Sequence, residues 1–320
     1  MRTTTHTFFS QLGKIINNPD FALKLEKRTY ESFETEHRSV ASSGLTCGFK
    51  SLDEYIYFSR GDFITIQAMS NHGKSSFMLQ LMQRFVQNET LNPVCVFITY
   101  ETEPLRVEEK FLNILCGEYE GGTLIKYNRN DKYLYPDHDE YPWTKSRYDV
   151  LCESGKITIL PSVSVEKLDS LIGLYQTEYK EKTIVVFLDY FQIIDTSSKK
   201  DGWEGIKEIA YKLEKLAIQK GAIIFAASQV NDKRQTREGK DIYNASTLVI
   251  DILDNSHPSL KLNKDTEKLF SEKTEGKSIC SISIVKNKRG PALSFEKKFT
   301  FDGYVFSETK EAKSLIRTEV

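Results

Sequence analysis

An α/β domain built on a parallel sheet with helices on both faces is predicted by three features of this 320-residue chain. Short, wholly apolar runs have the composition of strands buried on both sides, among them IVVFLD over 184–189 and AIIFAAS over 222–228. Between them lie stretches whose apolar residues recur at helical spacing, such as Ile206, Ile209, Leu213, Leu216 and Ala217. Apolar–polar alternation, the signature of a half-exposed antiparallel ribbon, is left to the end of the chain, in SISIVK (281–286) and LSFEKKFTF (293–301).

Taken in order, residues 1–43 differ from the rest. Phe8, Leu12, Ile15 and Ile16 have helical spacing, and Asn18-Pro19-Asp20 reads as a cap, a first-turn proline and an acidic first turn. We expect a short helical N-terminal arm whose apolar side packs on its own domain or on a neighbouring subunit. The main domain spans 44–306. Strand DFITIQA (62–68) is followed by a polar, glycine-containing turn and the helix KSSFMLQLMQRFV; strand VCVFIT (94–99) is followed by a helix from Pro104 to Cys116. Residues Gly117 to Ser146 are rich in Gly, Asn, Asp, Tyr and Pro and read as a loop-rich surface insertion. Strand ITIL (157–160) and a helix carrying Leu168, Leu171, Ile172 and Tyr175 on one face complete the alternation. Residues 307–320 read as a tail.

Composition narrows the function classes. Hydrophobic residues make up 39% and charged residues 28%, enough for a core and for solubility. The longest apolar runs, Ile184–Leu188 and Ala222–Ser228, are far too short to cross a bilayer, so no membrane partner is expected. No secretion signal is read at the N-terminus. The five cysteines (Cys47, Cys95, Cys116, Cys152, Cys280) are odd in number and lack metal-ligand spacing, which suits free thiols in a reducing cytoplasm. With a net charge of −1, nucleic acid would be bound only through a local basic loop.

Five constellations carry chemistry. Ala68-Met69-Ser70-Asn71-His72-Gly73-Lys74-Ser75-Ser76 lies between a predicted strand and a predicted helix. That context suits a phosphate-binding loop: helix N-terminal amides face the anion, Lys74 reaches the outer phosphates, and the Ser75 hydroxyl holds Mg²⁺. Ala68 stands where the strict pattern has Gly. His72 reads as a loop-shaping or solvent-facing residue rather than a catalyst. Asp189 ends a buried strand, where a carboxylate either completes a Mg²⁺ shell or caps a helix. Glu101, with Glu103 as its rival, follows VCVFIT and could activate a water; a solvated acidic turn is the plain alternative. Gln229 ends AIIFAAS, where an amide can sense a γ-phosphate and signal to the next loop. That loop carries Lys233, Arg234, Arg237 and Lys240, which either contact nucleic acid or are simply solvated. Last, Lys286-Asn287-Lys288-Arg289-Gly290-Pro291 is a dense cationic turn, either a finger for a phosphate held by another subunit or ordinary surface.

The order GFKSLDEYI, AMSNHGKSS, FITYET, LDYFQII, FAASQVN, VKNKRGP resembles the C-terminal ATPase domain of DnaB-type replicative helicases across residues 44 to about 306. In that family the phosphate loop also begins with Ala. The resemblance implies a RecA-like core, ATP and Mg²⁺ as cofactors, and single-stranded DNA as partner. It also implies assembly into a homo-oligomeric ring, a hexamer in the family, and contact with primase or other replication proteins. It gives Lys74 and Ser75 to phosphate and Mg²⁺, Glu101 to catalysis, Asp189 to the metal, and Gln229 to the link between hydrolysis and DNA. The family finger reads Lys-x-Arg-x-Gly; here Lys288 stands at the Arg position and Arg289 follows it, leaving two candidates. No counterpart of the family's globular N-terminal domain is expected, and the expected truncated form resembles phage or plasmid helicases. The expected function is an ATP-dependent helicase translocating on single-stranded DNA in replication. The alternatives are a DNA-dependent ATPase that assists recombination or repair without unwinding, and a nucleotide-dependent ring scaffold.

Overall fold

The computed structural model describes residues 14, 29–32, 34–35, 44–89, 91–117, 141–190, 203–230, 239–255, 277–309 and 315–316. The chain divides into two units, Met1–Gly44 and Leu45–Val320. In the first, Thr29 and Ser32 cap one another: the Ser32 N–H donates to Thr29 Oγ1 (3.1 Å) and the Thr29 N–H to Ser32 Oγ (2.9 Å), opening a helical turn at Tyr30. The remainder of the expected arm, including Phe8 to Asp20 apart from Lys14, lies outside the described residues.

The second unit begins with a short helix, α1 (Lys50–Asp53), and then alternates strands with helices. The elements run β1 (Phe63–Ala68), α2 (Lys74–Phe85), β2 (Val94–Thr99), α3 (Pro104–Gly117), α4 (Tyr141–Glu153), β3 (Ile157–Leu160) and α5 (Val165–Glu178). They continue with β4 (Ile184–Asp189), α6 (Trp203–Lys220), β5 (Ile223–Gln229), α7 (Gly239–Ala245), β6 (Leu248–Asp254), β7 (Ser278–Asn287), β8 (Leu293–Phe301), β9 (Phe306–Glu308) and β10 (Leu315–Ile316). Among the described residues, ten strands join one sheet in the order β10-β8-β7-β6-β1-β5-β4-β2-β3, with β9 also on β8. From β6 through β3 every pairing is parallel, while β7 to β10 are antiparallel. The parallel core with a closing β-ribbon is the predicted arrangement.

Strand pleating divides the apolar runs between two cores. Cys95 and Phe97, Val185 and Phe187, and Ile223 and Phe225 face one layer with α2 and α3; Val94 and Val96, Val186 and Leu188, and Ile224 and Ala226 face the other with α5 and α6. On the first face the register aligns Phe97 with Phe187 and Phe187 with Phe225. Their rings stack at centroid distances of 6.1 and 4.9 Å. Such cross-strand aromatic pairs stabilise beyond their buried area and fix the register of β2, β4 and β5.

One element has no counterpart among the sequence expectations, and another differs from its expectation. LVIDILD forms β6, a central strand between β1 and β7, although Asp251 and Asp254 interrupt its apolar run; both carboxylate residues are buried. Helix α4 begins at Tyr141, within the stretch read as loop; Pro142 at its first turn needs no N–H donor there and so does not oppose helix. Residues 118–140 lie outside the described residues. At the end of the chain, β9 carries Glu308, whose carboxylate accepts the backbone N–H groups of Lys50 (3.0 Å) and Ser51 (2.9 Å) at the start of α1. This ties residue 308 to the first element of the domain.

Replacing Phe187, which is fully buried, by Ala removes the middle ring of the stack and should lower stability by about 3–5 kcal/mol. Chemical denaturation followed by circular dichroism checks this, and an unchanged midpoint would contradict the packing described.

Candidate active site

The central strand β1 ends at Ala68, and α2 begins at Lys74. The intervening loop turns sharply because Asn71 (φ 63°) and Gly73 (φ 87°) both adopt left-handed backbone. At Gly73 space is as demanding as conformation: a Cβ there would stand 2.7 Å from Cζ of Phe306 and 3.1 Å from Cζ of Phe301. The stacked pair Phe301–Phe306, with centroids 4.3 Å apart, therefore backs the loop, and only glycine lets α2 start against it. The Gln80 side chain fastens Phe306 to α2 by donating to its carbonyl and accepting from its N–H, each at 2.9 Å.

Ser70, Asn71, Gly73, Lys74, Ser75 and Ser76 line a cleft of about 400 Å³ together with Glu101, Lys110, Asp189 and Gln229. Strand register explains the convergence. Ala68 is level with Gln229 on β5, and Thr99 on β2 is level with Asp189 on β4, so all four strand ends meet at one carboxyl edge. Glu101 is positioned by a small turn, in which the Thr99 hydroxyl donates to the Thr102 carbonyl (2.7 Å) and accepts the Thr102 N–H (3.1 Å). Glu103 stands outside the lining; its carbonyl accepts the Arg106 N–H (2.9 Å) in the first turn of α3.

The electrostatics suit an anion with a cation beside it. Burial lowers the Lys74 ammonium from its ordinary range, and the carboxylates of Asp189 and Glu101 oppose that shift. Lys74 Nζ donates to the carbonyls of Met69 (3.0 Å) and Ala68 (3.3 Å), which hold it beside the loop. Asp189 is 7% exposed, and burial raises its carboxyl. A hydrogen bond with Ser75 and the charges of Lys110 and Lys74 pull it back down, while Glu101 pushes it up. A serine hydroxyl beside a carboxylate at a helix N-terminus is an all-oxygen donor pair. It fits Mg²⁺, which is held by one or two protein oxygens plus phosphates. The amides that open α2, with Lys74, fit the phosphates.

Other predicted residues lie elsewhere. His72 is fully buried, and its Nδ1 accepts the N–H of Asp254 (3.0 Å) at the end of β6, so it shapes the loop from inside. Lys240 is exposed in the first turn of α7, and Lys233, Arg234 and Arg237 lie outside the described residues. Lys286, Lys288 and Arg289 are at the opposite edge of the sheet. Asn287 pairs with Leu248, the first residue of β6, and Leu248 pairs with Ile64 near the start of β1. A six-residue strand puts the cationic turn roughly 17–20 Å from the phosphate loop of its own chain. There Lys286 donates to the carbonyls of Tyr243 and Asn244, Lys288 pairs with Glu214 at 3.2 Å, and Arg289 pairs with Asp62.

Sequence reasoning missed Lys110, Phe301 and Gly303, which also line the cleft. Lys110 is nine residues beyond Glu101 on α3, and no motif marks it. Phe301 ends β8 and Gly303 lies in the β8–β9 turn, more than two hundred residues from the loop that they adjoin.

Comparison with known proteins identifies the family. The family model for the DnaB-like helicase C terminal domain matches residues 44–307. A probable plasmid replicative DNA helicase of Chlamydia psittaci is 24% identical over 290 residues, which is 88% of this chain and 59% of that protein. The replicative DNA helicase DnaC of Bacillus subtilis is 25% identical over 289 residues, 85% of this chain and 59% of that protein. The chain thus spans under two thirds of the length of these relatives. Among solved structures, one described as an ATPase domain superposes with a TM-score of 0.67 at 19% identity, covering 88% of this chain and 98% of that one. A DnaB-like replicative helicase, described with its primase interactions, gives 0.63 at 18%, covering 92% and 73%. The shared fold is that of RecA-like helicase ATPase domains, and with the family model covering the parallel core, the phosphate loop and the β-ribbon, the chain belongs to the DnaB-like helicase C-terminal domain family.

Proposed function

We propose that this chain hydrolyses ATP with Mg²⁺ and uses the cycle, as a ring of identical subunits, to translocate on single-stranded DNA and separate strands during replication. The observation that carries the reading is the meeting of Lys74, Ser75, Asp189, Glu101 and Gln229 in one cleft at the carboxyl edge of β1, β2, β4 and β5. The amides of α2 and the Lys74 ammonium bind the β- and γ-phosphates. Ser75 and Asp189 hold Mg²⁺, which when bound neutralises charge across those phosphates. Glu101, on its own tight turn, orients the attacking water and takes its proton. Gln229 stands level with Ala68 on the neighbouring strand, and the Val230 N–H donates to the Ala68 carbonyl (3.1 Å). A displacement at the γ-phosphate is thereby passed to the segment after β5, which carries Lys233, Arg234 and Arg237 and which we assign, with Lys240, to the DNA.

The position of the cationic turn supports the ring. It cannot reach the cleft of its own subunit, so a cation from it serves the γ-phosphate only across an interface between copies. Repeating one basic loop around a ring, six times in a hexamer, concentrates positive charge in a channel despite the net charge of −1. One DnaB-like relative has been described with its interactions with primase, and a primase is the partner we assign here. Among the described residues no helix is long and apolar enough to cross a membrane.

Lys74→Ala should abolish ATP hydrolysis while circular dichroism shows an intact fold; full turnover in the folded variant would refute the ATPase reading. Displacement of a strand from a forked duplex separates a helicase from a DNA-dependent ATPase, and hydrolysis indifferent to single-stranded DNA would favour a scaffold.

For the carboxylates, Glu101→Gln should bind ATP yet lose about two to four orders of magnitude in turnover, whereas Glu103→Gln stays near normal. Steady-state kinetics beside equilibrium nucleotide binding decides; a normal rate for Glu101→Gln would mean that another group activates the water.

A further inference from the structure

The three cations at the end of β7 and in the β7–β8 turn are not equivalent. The Arg289 guanidinium meets the Asp62 carboxylate in a two-pronged pair: its Nη1 donates to Oδ2 at 2.7 Å and its Nη2 to Oδ1. The Asp62 side chain is only 4% exposed, and its Oδ2 also accepts the Ser59 N–H at 2.7 Å. Asp62 is therefore a buried anion at the entry to β1, and Arg289 is its counter-charge. Arg289 is held further by the Tyr57 carbonyl, 3.4 Å from Nη1, and by the Tyr57 ring, whose centroid is 5.1 Å from Cζ. The backbone of the turn is clamped as well. Asn287 accepts the Arg289 N–H (2.9 Å) through Oδ1 and donates to the Tyr55 carbonyl (3.2 Å) through Nδ2, while the Lys288 N–H donates to the Thr247 carbonyl (3.0 Å).

Lys288 differs in kind. Its ammonium pairs with Glu214 at 3.2 Å, with the two side chains 44% and 26% exposed. Such a solvated pair is weak and exchanges readily. Withdrawing Arg289 toward a phosphate would instead strand a buried carboxylate, which is strongly unfavourable. Lys286 is committed to the carbonyls of Tyr243 and Asn244, the latter at 2.9 Å, and lies over the Tyr243 ring.

We infer that Arg289 is a positioning residue: it neutralises Asp62, locks the β7–β8 turn to the entry of β1, and so presents Lys288 as the exchangeable cation for a triphosphate held by an adjacent copy. The inference rests on the proposed hydrolysis at a subunit interface. It resolves which of two adjacent cations touches the substrate, and it gives the buried Asp62 a role in an active site that it does not touch.

The test uses the full chain and reads melting temperature and single-stranded-DNA-stimulated ATP turnover together. Arg289→Met should lower the melting temperature by about 10 °C, the order expected for a broken buried pair in a domain of this size, and cut turnover about tenfold. Lys288→Ala should leave the melting temperature unchanged and cut turnover by about a hundredfold or more, with ATP affinity kept. The deciding variant is Asp62→Asn combined with Arg289→Gln. It replaces the ion pair by a neutral amide pair and keeps an acceptor for the Ser59 N–H. This variant should regain both the melting temperature and turnover to within about threefold of the parent. A double variant that regains stability but stays as inactive as Arg289→Met would overturn the inference, because Arg289 would then act on the substrate. Normal turnover in Lys288→Ala would overturn it equally. A parent chain that does not hydrolyse ATP would instead refute the proposed function, and the melting temperatures would still report on the Asp62–Arg289 pair.

Discussion

A helix must begin within a few ångströms of the carboxyl end of β1 with its amides facing outward, and much of the domain is arranged around that requirement. The turn that achieves it uses left-handed backbone at Asn71 and Gly73, and at Gly73 it leaves no room for a Cβ against Phe301 and Phe306. Those rings come from the end of β8 and from β9, so the antiparallel ribbon is the back wall of the phosphate loop as well as an edge of the sheet. Gln80 and Glu308 fasten the same region to α2 and α1. The loop thus carries little of its own stability and borrows its rigidity from contacts more than two hundred residues away, as a preorganised anion site needs.

Parallel strands supply the second half of the arrangement. Side chains from four different strand ends are brought together because β1, β2, β4 and β5 all point the same way, and rings stacked on one face hold β2, β4 and β5 in register. Each strand contributes a different chemical group, and the low-dielectric setting acts on them unequally. Burial lowers Lys74 and raises Asp189, and their proximity offsets both shifts. Polarity along the strands also separates two kinds of positive charge. Lys74 and Lys110 stand at the carboxyl edge of the sheet, whereas Lys286, Lys288 and Arg289 stand at the opposite edge. The cationic turn thus lies a strand's length from the phosphate loop of its own chain.

Much of this was legible in the sequence, for reasons that the structure makes plain. The strands IVVFLD and AIIFAAS stand out because both faces are covered, which forces a continuous apolar run. The phosphate loop, Asp189, Glu101 and Gln229 stand out because each ends or closely follows an apolar run. β6 was not legible: Asp251 and Asp254 break its hydrophobic signal, and their burial depends on neighbours that no local pattern reveals. Lys110 gave no signal either, since it enters the cleft only once α3 packs against α2 and β3. The Asp62–Arg289 pair joins residues 227 positions apart, and a charge of either sign in a polar turn looks like solvated surface until the fold brings the two together. The distinction between Lys288 and Arg289 is accordingly a property of the fold alone.

The claim on which the account turns is that Ser75 and Asp189 hold a divalent cation against a triphosphate bound at the start of α2. Electron paramagnetic resonance of Mn²⁺, added in place of Mg²⁺ together with a non-hydrolysable ATP analogue, reports on that cation directly. The parent chain should bind Mn²⁺ in a nucleotide-dependent way and Asp189→Asn should lose it, with the analogue still bound through Lys74 and the helix amides. Undiminished Mn²⁺ binding in Asp189→Asn would contradict the claim.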